Sequence, residues 1–148
     1  MTNPSQVEAA AGGRPSEVLL VEDDDLVRFA LRRVLAAGHR ACLSTASVEE
    51  AQQLLAVHLP SLVLTDYNLT GHWTGIDLLL WMRRHARLRD IPAVLMTGGD
   101  LELVRARLAA AGLADVEAIA KPFEPRDLIA ALARATAVGE RQAVRPLL

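Results

Sequence analysis

Five short apolar runs, each leading into a helix-like stretch, constrain this chain more than any other feature. Glu17-Val18-Leu19-Leu20-Val21 has an unbroken apolar centre, which suits a strand covered on both faces. Behind it, Val27, Ala30, Leu31, Val34 and Leu35 mark one face of a helix, and Gly38 reads as its stop. Arg40 to Ser44 is a weaker strand with polar flanks, better suited to a sheet edge. Ser47-Val48-Glu49-Glu50 has the pattern of a capping box and opens a helix with Ala51, Leu54, Leu55 and His58 as its inner stripe. Leu62 to Thr65 is the third strand.

The pattern repeats twice more. Residues 67–75 read as a loop, and 75–84 as a helix apolar at Ile76, Leu79 and Leu80. Ala93-Val94-Leu95-Met96 is the fourth strand. Asp100 can cap a helix over 101–111, with Leu101, Val104 and Leu108 inward and Gly112 beyond its end. Ala118-Ile119-Ala120 is a short fifth strand. Pro125 opens a last helix over 125–138, with Leu128, Ala131, Leu132 and Ala135 inward and Gly139 closing it. Alternating strands and helices with short connections predict an α/β fold, a doubly wound parallel sheet with right-handed crossovers and helices on both faces. We expect one domain over 17–138, a flexible tail over 1–16 and a short C-terminal tail over 139–148.

Composition narrows the function. A hydrophobic fraction of 51% supports a packed core, and a net charge of -2 gives no electrostatic reason to bind nucleic acid. No apolar run approaches the ~18 residues of a membrane helix, and no secretory signal opens the chain. With Cys42 the only cysteine, no internal disulfide can form. The expectation is a cytoplasmic protein without a membrane anchor.

In an open parallel sheet, ligands bind beyond the carboxyl ends of the strands. The first strand is followed by Glu22 and Asp23, the third by Asp66, the fourth by Thr97 and the fifth by Lys121. Lys121 is the only lysine among 16 basic residues. Taken singly, each has an ordinary explanation. Helix dipoles favour the acids at Asp24 and Asp25, and an Asp at a strand end is often a turn residue. Together they converge on one edge. Three carboxylates there need a cation or a proton, and all-oxygen ligands favour a hard ion such as Mg²⁺. Adding a lysine and a hydroxyl makes a site for phosphoryl transfer, with Asp66 as the attacking carboxylate.

With these residues placed, the chain resembles the receiver domains of two-component response regulators over about 16–137. The family pattern is an acidic pair after the first strand, a phospho-accepting Asp after the third, Thr or Ser after the fourth and Lys-Pro after the fifth. Here these match Glu22-Asp23, Asp66, Thr97 and Lys121-Pro122. The resemblance implies a flavodoxin-like (βα)5 fold with strand order 2-1-3-4-5. It implies that Asp66 takes a phosphoryl group from a phosphohistidine of a sensor histidine kinase or histidine phosphotransfer protein. Mg²⁺, for which Mn²⁺ can substitute, would be bound by Asp23, Asp66 and the backbone carbonyl of Asn68, with Glu22 acting through water. Thr97 and Lys121 would hold the phosphoryl oxygens, and the Lys121-Pro122 bond would be cis. The family's interaction surface corresponds to helix 101–111, strand 118–120 and helix 125–138, a face suited to a downstream protein or a homodimer.

Three departures bear on the readout. The family usually has Pro four residues after the acceptor, where this chain has Thr70. The glycine opening the next helix is usually eight residues on, but Gly75 is nine on. Ala118 stands where the family often carries an aromatic switch, so a phosphorylation-driven change would need another route, with Trp73 and Phe123 as candidates, and His72 could tune the phosphate lifetime. The preferred reading is a stand-alone receiver domain that signals by binding partners, without turnover of external substrates. An aspartyl-phosphate phosphohydrolase would need an acid two residues after its nucleophile, where this chain has Asn68. A receiver-like scaffold that is never phosphorylated is the other alternative, which the intact constellation argues against.

Overall fold

The computed structural model describes residues 17–143. Five strands alternate with five helices: β1 (Glu17–Val21), α1 (Asp25–Ala37), β2 (Ala41–Thr45), α2 (Val48–Leu55), β3 (Leu62–Asp66), α3 (Gly75–Arg83), β4 (Ala93–Thr97), α4 (Leu101–Ala110), β5 (Glu117–Ala120) and α5 (Pro125–Ala143). All strands are parallel, in the order β2-β1-β3-β4-β5. This is the flavodoxin-like α/β arrangement that the resemblance implies.

Strand side chains alternate between two cores, as the pleat requires. Leu19, Val21, Val63 and Leu95 face α2, α3 and α4 through Leu55, Leu79 and Leu108. Val18, Leu20, Leu64 and Met96 face α1 and α5 through Leu35, Leu128 and Leu132. The central strands β3 and β4 are buried at every residue, whereas β2 is only partly covered and forms an edge. Register places the strand ends level: Val21 pairs with Thr65, Asp66 with Met96 and Thr97 with Ala120. The residues leaving β1, β3, β4 and β5 therefore emerge at one edge of the sheet.

Capping fixes where the helices begin. Asp24 accepts from the Leu26 and Val27 N–H groups at 2.9 and 3.0 Å, and Asp100 accepts from Glu102 and Leu103. Thr74 and Asp77 form a reciprocal capping box at the start of α3. Ser47 accepts from the Glu50 N–H, but the Glu50 carboxylate reaches one residue past the cap, to the Ala46 N–H.

Several expectations need correction. Helix α2 ends at Leu55, so His58 leaves the inner stripe and is exposed. Ala30 is exposed on α1, whose buried residues are Leu31 and Leu35. Gly38 caps α1 at φ -89°, and the left-handed residue that ends the helix is His39 at φ 60°. The Arg40 N–H then returns to Leu35 O and the His39 N–H to Ala36 O, a Schellman ending with a non-glycine at its left-handed position. Gly139 does not close α5, which continues to Ala143. A Cβ at Gly139 would lie 3.0 Å from Pro92 Cγ, so the glycine allows helix and loop to approach closely. The expected N-terminal tail, 1–16, lies outside the described residues, as do 144–148 of the expected C-terminal tail.

Candidate functional site

The sheet edge gathers the acids. Glu22 and Asp23 follow β1, and Asp66 is the last residue of β3. One carboxylate oxygen from each lies within 4.8 Å of the others. Glu22 is 1% exposed and Asp66 7%, so two of the three charges are largely withdrawn from water. Lys121, just beyond β5, places Nζ 3.1 Å from Glu22 Oε2 and 3.2 Å from Asp66 Oδ2. One ammonium thus stands among three carboxylates.

Burial and charge act on these groups in opposing senses. Burial pushes the Glu22 carboxyl above its ordinary value, and the Asp66 charge adds to this against the pull of Lys121. Burial draws Lys121 downward, but its hydrogen bond to Glu22 and the charges of Asp66 and Glu22 outweigh that effect. The ammonium therefore ends above its ordinary value.

Thr97, the last residue of β4, is buried, and its Oγ1 accepts from the Gly99 N–H at 3.0 Å. Its own hydroxyl proton is thereby available to donate. The Thr97 carbonyl accepts from the Lys121 N–H at 2.7 Å, which fixes the two strand ends to one another. The Lys121-Pro122 peptide is cis. Glycine is required at Gly75, because a Cβ there would lie 2.4 Å from Asp66 O and 2.6 Å from Leu95 Cδ1. The first residue of α3 is thus seated directly on the Asp66 backbone.

The other residues singled out from the sequence lie on the loop after Asp66, in β5 and just beyond it. Asn68 is exposed on the loop two residues after Asp66, and Ala118 is buried in β5. His72 and Trp73 line a hollow of about 310 Å³ along α3, with Asp77, Leu80, Trp81 and Arg84. Phe123 packs against the α1–α5 core.

Sequence reasoning missed three contacts. The Thr70 hydroxyl donates to Asp23 Oδ2 at 2.6 Å, Arg28 Nη1 donates to the Glu22 carbonyl at 2.8 Å, and Arg107 bonds the Tyr67 hydroxyl. Thr70 stood out by its identity, but a contact across 47 residues leaves no local pattern. The Thr74-x-x-Asp77 box did carry a readable signal.

A parallel α/β sheet with a lysine-bridged carboxylate cluster at its carboxyl edge defines a class of acidic sites with the oxygen donors that could hold a metal ion. A family model for the response regulator receiver domain matches residues 18–133, and the chain belongs to that family. It is 30% identical over 129 residues to the phosphate regulon transcriptional regulatory protein PhoB of Pseudomonas aeruginosa, covering 85% of this chain and 55% of that protein. The chain thus spans about half the length of the PhoB proteins it matches. A sensor protein from Polaromonas sp. JS666 superposes with a TM-score of 0.76 at 26% identity, covering 85% of this chain and 98% of that one. The chemotaxis response regulator CheY4 of Vibrio cholerae, at 21% identity, shares the fold with a TM-score of 0.74, covering 82% of this chain and 98% of that one. Among the described residues, no helix is long and apolar enough to cross a membrane.

Proposed function

We propose that this receiver domain carries its signal as an acyl phosphate on Asp66, taken from a phosphohistidine of a sensor kinase or phosphotransfer protein. The observation that carries the reading is the Lys121 ammonium bridging Glu22 and Asp66, with Asp23 completing the carboxylate cluster. An Asp66 oxygen attacks phosphorus, the P–N bond breaks, and its electron pair leaves with the imidazole. Lys121 neutralises charge gathering on the phosphoryl oxygens, and the free proton of Thr97 donates to one of them.

A hard divalent cation fits this donor set, which is all oxygen and carries more negative charge than one lysine offsets. Asp23, Asp66 and the Asn68 carbonyl would hold Mg²⁺, or Mn²⁺ in its place, with Glu22 acting through water. When bound, the ion would supply positive charge that offsets the charge gathering on the phosphoryl oxygens. The donor protein has an apolar foothold nearby. Leu26 and Phe29, 82% and 61% exposed, stand on the first two turns of α1 directly after the acidic residues. The α4–β5–α5 face, where Leu103 is exposed, serves a downstream protein or a second copy of the chain. On this reading the domain works in the cytoplasm, as a signalling module without external turnover.

Incubation with acetyl phosphate and Mg²⁺ tests the reading. Intact mass should show one added phosphoryl group, which hydroxylamine removes and which Asp66→Asn does not acquire. Equal labelling of Asp66→Asn, or no labelling of the wild type by acetyl phosphate or a phosphohistidine donor, overturns it.

A further inference from the structure

The loop between Asp66 and α3 is fixed at both ends and lightly held between them. At its base the Tyr67 N–H donates to Met96 O at 2.7 Å, and the Gly75 N–H returns to Tyr67 O at 2.9 Å. Its far end is secured by the Thr74–Asp77 box. Between them, Asn68, Gly71, His72 and Trp73 are exposed, and Leu69 packs partly against the core. Among the described residues, the one side-chain hydrogen bond made from 68–73 is that of Thr70 to Asp23 Oδ2, at 2.6 Å.

That bond joins two parts that nothing else in the loop joins. On one side is Asp23, the least buried member of the carboxylate cluster. On the other, three residues beyond Thr70, is Trp73 against the exposed face of α3. Gly71 between them has φ 101°, a conformation that glycine adopts freely. A threonine is stiff about χ1, so its hydroxyl holds the carboxylate in one orientation. Only Oδ2 is engaged, which leaves Oδ1 of Asp23 for a cation.

We propose that Thr70 is a positioning residue, holding Asp23 for the metal and tying cation occupancy to the loop that carries Trp73. The proposal rests on reading the cluster as a cation site. It gives the receiver a route out of the site along 70–73, beside α3, while Ala118, on the same face of the sheet in β5, supplies no aromatic. A cation on Oδ1 settles Asp23 in the orientation in which Oδ2 accepts from the Thr70 hydroxyl, so occupancy firms that bond and the loop responds through it.

The test uses the full chain with Trp81→Phe, which leaves Trp73 as the sole tryptophan. Electron paramagnetic resonance of Mn²⁺, with Mg²⁺ as competitor, gives occupancy directly, and Trp73 emission reports the loop. In this background Mg²⁺ should change the emission. Adding Thr70→Val should weaken cation binding about tenfold, the effect of losing a group that orients a metal ligand. At saturating Mg²⁺ the emission change should also vanish, while Thr70→Ser restores both. Binding and emission in Thr70→Val that match the Thr70 background overturn the proposal. A chain that binds no Mn²⁺ at all overturns the cation-site reading and the coupling with it. The resonance experiment alone shows that outcome, so the two failures are distinguishable.

Discussion

Glu22 and Asp23 are neighbours in sequence, yet they belong to differently built halves of one site. Glu22 is buried, bonded to Lys121, and joined through that lysine to Asp66. Its charged partner lies inside the fold and its carbonyl is held by Arg28. Asp23 is half-buried, and its side-chain partner is the hydroxyl of a loop residue. The buried half resists change because any loss leaves a charge without a partner in a poorly solvated place. The loop half can change at little expense, since water replaces what is lost. A domain that must hold reactive groups still and also report their state needs both.

Substitutions should separate the halves by the size of their effect. Gly75→Ala attacks the frame they share, by pressing a Cβ onto the Asp66 carbonyl and Leu95. Backbone cannot yield as a flexible side chain does, so the loss should be about 3 kcal/mol, at the upper end of overpacking effects. Urea denaturation would measure it. A loss below about 1 kcal/mol would show that the base of the loop is softer than its packing implies.

Lys121→Met breaks the buried half. Glu22 and Asp66 then lose their shared counter-charge, and we expect a loss of about 2 kcal/mol at neutral pH in chelator. This is below the value for a fully buried pair because the lysine is partly exposed. Saturating Mg²⁺ should recover part of it. An unchanged midpoint in chelator would mean that repulsion within the cluster is already relieved in some other way.

The same half should have a characteristic pH dependence. The Glu22 carboxyl sits above its ordinary value, so over the range from that value up to its folded pKa the folded chain binds more protons than the unfolded one. Stability without metal should therefore fall as pH rises through that range. Lys121 acts elsewhere: its raised pKa contributes stability that is complete below its ordinary value and is lost only as pH climbs through the folded one. Glu22→Gln should remove the acidic-range slope, whereas Asp23→Asn should largely retain it. Thermal melts in chelator across that range check both, and identical slopes in wild type and Glu22→Gln would assign the dependence to another group.

How much of this is legible without coordinates depends on the distance over which each feature is determined. The strands are visible because β1, β3 and β4 are continuous apolar runs. The converging ends follow from parallel topology, so Glu22, Asp23, Asp66, Thr97 and Lys121 could be placed at one edge. Local rules failed where tertiary contact overrides them. Gly139 looks like a helix stop, but it serves a close approach to Pro92. Gly38 looks like the left-handed end of α1, but that conformation falls on His39. His58 has the spacing of an inner residue in a helix that has already ended. The Thr70–Asp23 bond spans 47 residues between a loop and a strand end, so neither propensity nor spacing could announce it.

The loop half should give the smallest effect. Thr70→Val removes a hydrogen bond to a carboxylate, an interaction that in a buried setting would contribute about 1.5–3 kcal/mol. Thr70 is exposed and Asp23 only half-buried, so water takes over as partner and the stability change should stay within about 0.5 kcal/mol. Chemical denaturation in chelator, beside Lys121→Met, makes the contrast directly. A loss for Thr70→Val approaching that of Lys121→Met would make the loop part of the rigid frame, and Asp23 would then be held as firmly as Glu22. A near-zero loss together with weakened cation binding would separate holding the fold from orienting the ligand, within two consecutive residues of one chain.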